Sequence, residues 1–321
     1  MQLSIVVPVY KSADCLEELA RRVRDAVDGG FDGYELILVN DASPDRSWQI
    51  IERLVGEHDF VVGINLRKNA GQDGALMAGL REARGAAIVI MDDDLQHDPA
   101  DIPALTAPLA DGFDVVYAVF HHKEQALWKN LGSWFNGRVA TWLLKKPAST
   151  YMSPYKAVRR EVVDEIVKYD GPFPYVDGLI FTITDNCAEV PATHHRRFAG
   201  AGNFTMRRSL AVWLRLATSF SVIPLRLVSL AGAILALFAF LAGAYFLAEA
   251  AIEGRTVEGW LSLIVGVFFL GGIQLIGIGA VGEYVARLYL TINKRPQFLI
   301  KEIRRRGDGL AENALDGAND V

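Results

Sequence analysis

The sequence predicts an α/β protein, a mostly parallel sheet with helices on both faces, followed by a pair of helices long enough to cross a membrane. Three observations carry this. Short β-rich runs alternate with helical patterns in the amino-terminal third, two uncharged apolar runs lie in the carboxyl-terminal third, and polar clusters stand where strands end.

The β-rich runs are 3–9, 35–40, 61–66, 87–91 and 115–119, and the helical stretches between them are 13–28, 45–57, 72–84 and 99–110. Alternation of this kind gives a parallel sheet covered by helices. Ligands of open α/β sheets bind outside the carboxyl ends of the strands, so function is sought in the residues that follow each strand. The first strand ends in Pro8-Val9-Tyr10, the second in Asn40-Asp41-Ala42-Ser43 and the fourth in Asp92-Asp93-Asp94-Leu95-Gln96. A triple aspartate repels itself unless a cation or hydrogen-bond donors offset it. Its hard oxygens suit magnesium or manganese, which keep waters and bridge to a substrate phosphate. Alone, such a triplet is also what a solvated turn or helix cap looks like; its place at a strand end opposite Asp41 favours the functional reading. His97 beside it is read as a turn residue.

The apolar runs are 227–247, of 21 residues, and 261–282, of 22, neither holding a charged side chain. A helix needs about 20 residues to cross the hydrocarbon core. Glycines at 232, 243, 266, 271, 272, 277 and 279 would let two such helices approach closely. The connection 248–260 carries Glu249, Glu253 and Glu258 against one arginine, whereas Arg207, Arg208, Arg215 and Arg226 precede the first run. Arg287, Lys294, Arg295, Lys301, Arg304, Arg305 and Arg306 follow the second. By the positive-inside rule both termini are cytoplasmic. No charged segment with a cleavable apolar run opens the sequence, so the first 200 or so residues are expected to stay inside. The resulting layout is a cytoplasmic catalytic domain (1–206), an interfacial helix (207–223), a transmembrane hairpin (224–282), a basic cytoplasmic segment (283–306) and a disordered tail (307–321). An ordinary surface helix is the alternative for 207–223.

Composition narrows the function. The 321 residues are 51% hydrophobic with a mean hydropathy of +0.20, too high for a typical soluble protein and too low for a bundle of membrane helices. A net charge of −5 argues against a generally basic nucleic-acid binder. Cys15 and Cys187 form neither a disulfide framework nor a zinc spacing. No Gly-x-Gly-x-x-Gly follows the first strand and no Gly-x-x-x-x-Gly-Lys-Ser/Thr occurs, which disfavours a dinucleotide-binding dehydrogenase and a P-loop ATPase.

The ordered motifs Val6-Val7-Pro8-Val9-Tyr10, Val39-Asn40-Asp41-Ala42-Ser43-Pro44-Asp45, Asn69-x-Gly71 with Ala75 and Gly79, and Met91-Asp92-Asp93-Asp94-Leu95-Gln96 resemble family 2 glycosyltransferases with the GT-A fold. Pro224-Leu225-Arg226, Gly282-Glu283-Tyr284-Val285-x-Arg287-x-Tyr289 and Arg295-Pro296 narrow the resemblance to polyprenyl-phosphate glycosyltransferases. That group includes dolichol-phosphate mannose synthase and bacterial transferases acting on undecaprenyl phosphate.

The resemblance implies an inverting, metal-dependent transfer of one sugar from a nucleotide sugar, expected to be a UDP-sugar, to polyprenyl phosphate at the inner membrane. Pro8, Val9, Tyr10 and Asp41 would hold the base, with Asn69 and Arg197 also on the donor. Asp92 and Asp93 would take the ribose or sugar, and Asp94 with Gln96 a Mg2+ or Mn2+ ion on the diphosphate. Asp92, Asp94 and Asp177 are the candidate catalytic residues. Asp177 has two readings, a carboxylate that grips sugar hydroxyls or acts as a base, and an N-cap for a helix over 178–184. Asn65, Arg67 and Lys68 either border the donor or form a solvated loop. Lys123, Lys129, Ser133 and Arg138 would seat the acceptor phosphate, while Phe120 stands where many relatives have arginine. Gly202, Asn203 and Phe204 replace the usual Ser-Lys-Tyr. His194, His195 and Arg196 add positive potential that would suit an acidic sugar. Expected partners are the donor, the polyprenyl phosphate and the bilayer, with a homo-oligomer, a flippase and a downstream glycosyltransferase as further candidates. A processive polysaccharide synthase would carry more spans and a Gln-x-x-Arg-Trp motif. A non-catalytic adaptor with a retained fold is the other alternative.

Overall fold

The computed structural model describes residues 2–120, 152–195, 223–253, 259–293 and 296–306. The chain divides into two compact units, Met1–Asn203 with Lys294–Val321, and Phe204–Asn293.

Among the described residues the first unit has eight strands: β1 (Gln2–Val9), β2 (Gly33–Asn40), β3 (Val61–Leu66), β4 (Ala87–Ile90), β5 (Val115–Val119), β6 (Lys156–Arg159), β7 (Cys187–Pro191) and β8 (Ile300–Arg304). Their order in the sheet is β7-β5-β6-β4-β1-β2-β3-β8. The run from β4 through β1 and β2 to β3 is parallel. β6 lies antiparallel between β4 and β5, β7 is parallel to β5, and β8 is antiparallel to β3. The described helices of this unit are α1 (Leu16–Val27), α2 (Ser47–Glu57), α3 (Gln72–Glu82), α4 (Ile102–Ala110), α5 (Arg160–Ile166) and α6 (Val176–Ile183).

The period of two along a strand assigns the faces. Leu3, Ile5, Val7 and Val9 of β1 join Leu36 and Leu38 of β2 in one core with the apolar stripes of α1, α2 and α4. Val6 and Val39, of opposite parity, meet α3. A Cβ at Gly79 would come within 2.4 Å of Val6 Cγ1 and 3.0 Å of Val39 Cγ2, so only glycine allows α3 to lie this close to the sheet. Both faces are thereby covered, and a central strand buried on both sides is apolar almost throughout. The buried polar residue of β1, Ser4, donates to Glu35 Oε1 at 2.6 Å and accepts from the Gly85 amide at 2.7 Å.

The five expected strands and four expected helices of the first 120 residues all form, with ends shifted by a few residues and a short 3₁₀ turn, Pro99–Asp101, opening the last helix. β8 was not foreseen. Within 283–306 the chain continues as helix to Ile292 and then returns to the first unit's sheet. Glu302 Oε1 there accepts from Asn65 Nδ2 at 3.1 Å, and Arg305 pairs with Glu35 and Glu82. A basic strand thus closes an edge of the sheet.

The second unit contains α7 (Ile223–Glu253) and α8 (Trp260–Ile292), packed on one another. A Cβ at Gly277 would meet Val228 Cγ1 at 3.8 Å, an ordinary contact. Among the described residues one window, Phe269–Leu290, is long and apolar enough to cross a membrane. The first expected span, 227–247, lies within α7. The interfacial helix expected at 207–223, except Ile223, and the tail from 307 lie outside the described residues.

Candidate functional site

Four loops follow the carboxyl ends of β1, β2, β3 and β4, and side chains lace them together. Tyr10 N donates to Asp93 Oδ2 at 3.1 Å and Lys11 N to Ser43 Oγ at 2.8 Å, joining the first loop to the fourth and second. Asp45 accepts from Ser43 Oγ and Ser47 Oγ, each at 2.6 Å, and from Ala13 N at 3.3 Å. These donors outweigh the upward push of burial and hold the Asp45 carboxyl below the usual range. Gln72 Nε2, opening α3, donates to Asp92 Oδ1 at 2.8 Å.

Among the described residues, the non-glycine positions with positive φ are Lys11 (60°), Ala42 (49°) and Leu95 (57°). Each falls in one of these loops. Left-handed backbone costs a non-glycine residue on the order of 1–2 kcal/mol, and such conformations persist where the surroundings over-determine them. The strain therefore collects at the loop ends and not in the scaffold.

The predicted donor residues divide by exposure. Tyr10 is 46% exposed, whereas Val9 is fully buried in the core and its carbonyl accepts from the Asp41 amide. Asp41 is 4% exposed; its carboxylate accepts from Ala70 N at 2.6 Å and Gly71 N at 2.9 Å. Asn69 Nδ2 donates to the Asp41 carbonyl at 3.1 Å. Gly71 has φ of +80°, which a side chain would resist. Asp41 thus clamps the turn that starts α3, and burial pushes its carboxyl up against the pull of the two amides. Asn65, rather than bordering a solvated loop, is buried and bonded on one side to Asn40 Nδ2 at 2.9 Å and on the other to Glu302.

In the acidic loop Asp92, Asp93 and Asp94 are all partly exposed. Asp94 Oδ1 accepts from Gln96 N at 3.1 Å, a local turn that brings the two predicted metal ligands together. Burial raises the Asp93 carboxyl, opposed by hydrogen bonds from Ser12 and the Tyr10 amide. Among the described residues no cluster of three or more acidic, histidine or cysteine groups forms a ready-made metal cage.

His97 is more than a turn residue. It is buried, its ring stacks on Tyr155 at 5.1 Å and Phe120 at 5.7 Å, and Nδ1 accepts from Asp92 N at 3.3 Å. Burial lowers it to about 4, so the ring is neutral near pH 7 and free to accept. Phe120 packs between His97 and His194. His195 Nε2 lies 2.8 Å from Asp98 Oδ2 and its amide donates to Gln96 O at 2.9 Å. The local positive potential expected there is thus partly taken up by Asp98. Arg196, Arg197, Lys123, Lys129, Ser133 and Arg138 lie outside the described residues.

A second polar group lies beneath the loops. Lys156, 2% exposed on β6, forms an ion pair with Asp177 Oδ1, to which Tyr117 Oη also donates at 3.3 Å. Asp177 stands in the first turn of α6, whose N-cap is Tyr175, so the capping reading of Asp177 is not the geometry observed. Asp73 Oδ1 accepts from Val176 N at 3.1 Å, and burial raises Asp73 to about 6. Sequence reading missed Lys156 and Asp73. The one available signal was a lysine inside the apolar run Tyr155-Lys156-Ala157-Val158.

A Rossmann-like sheet whose strand-end loops present a strained, laced acidic turn defines a GT-A-like transferase. The chain belongs to glycosyl transferase family 2, whose pattern matches residues 4–167. It is therefore a glycosyltransferase. It is 32% identical over 94% of its length, and 92% of the relative's, to the undecaprenyl-phosphate 4-deoxy-4-formamido-L-arabinose transferase of Shewanella sediminis. A relative of the same name from Klebsiella pneumoniae is 30% identical, over 95% of this chain and 94% of that one. Among solved structures, glucosyl-3-phosphoglycerate synthase from Mycobacterium tuberculosis, in complex with Mn2+, UDP and glucosyl-3-phosphoglycerate, shares the fold. Its TM-score is 0.50 at 20% identity, covering 68% of this chain and 77% of that one. The resemblance drawn from the motifs is borne out at the level of the family.

Proposed function

We propose that this protein transfers a single sugar, with inversion, from a nucleotide sugar of the UDP class to an undecaprenyl-type polyprenyl phosphate at the cytoplasmic face of the inner membrane. The observation that carries the reading is the match to the Shewanella relative, which extends over 94% of the chain and so includes the apolar helices as well as the catalytic sheet. The outward side chains of those helices support it: Phe238 is 67% exposed, Phe240 73% and Leu275 70%. Surfaces this apolar suit lipid and not water. Both spans and the interfacial helix belong to this proposal, as do the cytoplasmic orientation and the phosphate seat of Lys123, Lys129, Ser133 and Arg138.

The chemistry follows from charge. A lipid phosphate has its second ionisation near pH 6 and is largely dianionic at neutral pH. Its oxygen attacks the anomeric carbon, the bond from that carbon to the diphosphate breaks, and the leaving nucleoside diphosphate takes the electron pair. A nucleophile that is already anionic needs orientation more than a base. Tyr10 and the clamped turn at Asn69–Gly71 would line the base and diphosphate, and the acidic loop the ribose and sugar.

The donor set at the acidic loop fits a hard divalent cation. Asp94 supplies a carboxylate and Gln96 an amide oxygen on one turn, and a set short of a full cage suits an ion completed by phosphate oxygens and waters. Bound Mg2+ or Mn2+ supplies Lewis-acid stabilisation of the charge that gathers on the diphosphate. Asp94 and Gln96 would hold it, while His97 fixes the backbone from which Asp92 projects.

The test uses full-length protein in detergent with polyprenyl phosphate, magnesium or manganese, and a panel of labelled UDP-sugars that includes 4-deoxy-4-formamido-L-arabinose, glucose, glucuronate and galacturonate. One lipid-linked sugar from one donor is the expected product. Long polymer would replace the reading with a processive synthase, and no product from any donor would replace it with an adaptor. Preference for neutral sugars over the acidic ones would remove the role of His194 and His195 in attracting an acidic donor.

A further inference from the structure

Lys156 is buried to 2% exposure on a central strand, a costly place for an ammonium. It is paired across β6 and β4 with Ile90, two residues before Asp92, so it lies under the acidic loop. A lysine ammonium has three donors and no acceptor, and needs acceptors on several sides. One is Asp177 Oδ1; the Tyr117 ring lies beneath, 5.6 Å from the nitrogen. Asp73 feels the charge of both Lys156 and Asp177. The group is also tied to the donor loop through the chain: Gln72 holds Asp92, and its neighbour Asp73 holds the amide of Val176, next to Asp177.

Asp177 is used unevenly. Both of its described donors, Lys156 Nζ and Tyr117 Oη, converge on Oδ1. Among the described residues none donates to Oδ2, and the side chain is 18% exposed, against 3% for Lys156. An inward oxygen locked to a buried cation leaves the outward oxygen in a fixed direction with its lone pairs available. If that carboxylate took a proton during the reaction, Lys156 would be left buried opposite a neutral acid, an arrangement that is strongly unfavourable. The geometry therefore separates the two catalytic readings of Asp177 in favour of a hydrogen-bond acceptor.

We propose that Lys156 is a positioning residue for donor-sugar recognition, fixing Asp177 so that Oδ2 accepts hydrogen bonds from hydroxyl or amide N–H groups of the transferred sugar. The proposal rests on the nucleotide-sugar reading above. Its substrate class is a sugar that presents a hydrogen-bond donor on the side away from the diphosphate. A site built around a fixed acceptor rejects analogues that lack the donor, because the acceptor is then left unpaired.

The experiment compares wild type, D177N, and the double variant K156M/D177N, which removes both charges and so avoids leaving a buried ion without its partner. Each is titrated with UDP and with the UDP-sugar that wild type uses, and assayed for transfer. The expected result is UDP affinity within about twofold of wild type, with the extra affinity contributed by the sugar lost and kcat/KM down by at least about tenfold. Discrimination against an analogue deoxygenated at the contacted position collapses in the same variants. A folded double variant that keeps wild-type discrimination among sugars overturns the proposal. Wild type that transfers no sugar at all overturns the nucleotide-sugar reading instead, so the two failures are distinct. If the double variant does not fold, D177N decides by the same ratio.

Discussion

Two aspartates follow parallel strands of the same sheet and do opposite things. Asp41, after β2, has both oxygens bound by the Ala70 and Gly71 amides and is 4% exposed. Asp94, after β4, is partly exposed and accepts from the Gln96 amide two residues on. Both loops contain a left-handed non-glycine residue, Ala42 and Leu95. The difference is what the carboxylate is bonded to. Asp41 ties its own loop to a turn 29 and 30 residues further on, whereas the bond from the Gln96 amide to Asp94 stays within one turn.

The comparison can be broken most directly at Asp94. Asp94→Ala is expected to lower transfer by at least about 10³-fold through lost stabilisation of the leaving diphosphate. Its thermal midpoint in detergent should stay within about 2 °C, and activity near wild type would remove the metal assignment. Asp41→Ala should show the reverse signature. Two buried amides lose their acceptor, so destabilisation of about 2–4 kcal/mol is expected, read as a lowered midpoint, with UDP binding weakened as well because the turn that Asp41 clamps is the one proposed to line the base.

A smaller effect tests the buried group. Asp73 is raised from 3.8 to about 6, mainly by burial. An acid whose folded value lies above its unfolded value contributes stability that is full below 3.8 and lost as pH rises through about 6. Asp73→Asn, which keeps an oxygen for the Val176 amide, should flatten that window and raise stability at pH 7 by at most about 3 kcal/mol. Denaturation midpoints measured from pH 4 to pH 7 would show it; an unchanged slope would mean Asp73 ionises as an ordinary carboxylate. The smallest change is Glu302→Ala, which removes the end of the Asn40–Asn65–Glu302 chain of hydrogen bonds and should cost about 1 kcal/mol. A midpoint identical to wild type would make β8 an edge cover only.

How much was legible can be argued from these same residues. The strands and helices of the first 120 residues were readable because apolar period and turn residues are local signals. The acidic turn was readable because its members are consecutive. Lys156 and Asp177 were legible only as separate oddities, since they meet through the placement of β6 between β4 and β5. Strand β6 (Lys-Ala-Val-Arg) has charged residues at two of its four positions and β8 (Ile-Lys-Glu-Ile-Arg) at three of its five, so neither reads as an apolar run. β8 also pairs with a strand more than 230 residues away, as the Asn65–Glu302 bond shows, and no local window contains such a pairing.

The sequence by itself determined the mostly parallel sheet, its helices, the strand ends that carry the polar clusters and the long apolar runs. Each of these follows from neighbours along the chain. Only the tertiary structure decided which carboxylates are clamps and which are presented, that His97 is a neutral buried acceptor, and that Lys156 stands behind Asp177. Those outcomes depend on burial and on partners distant in sequence, because the charge state and free lone pairs of a side chain are properties of what surrounds it.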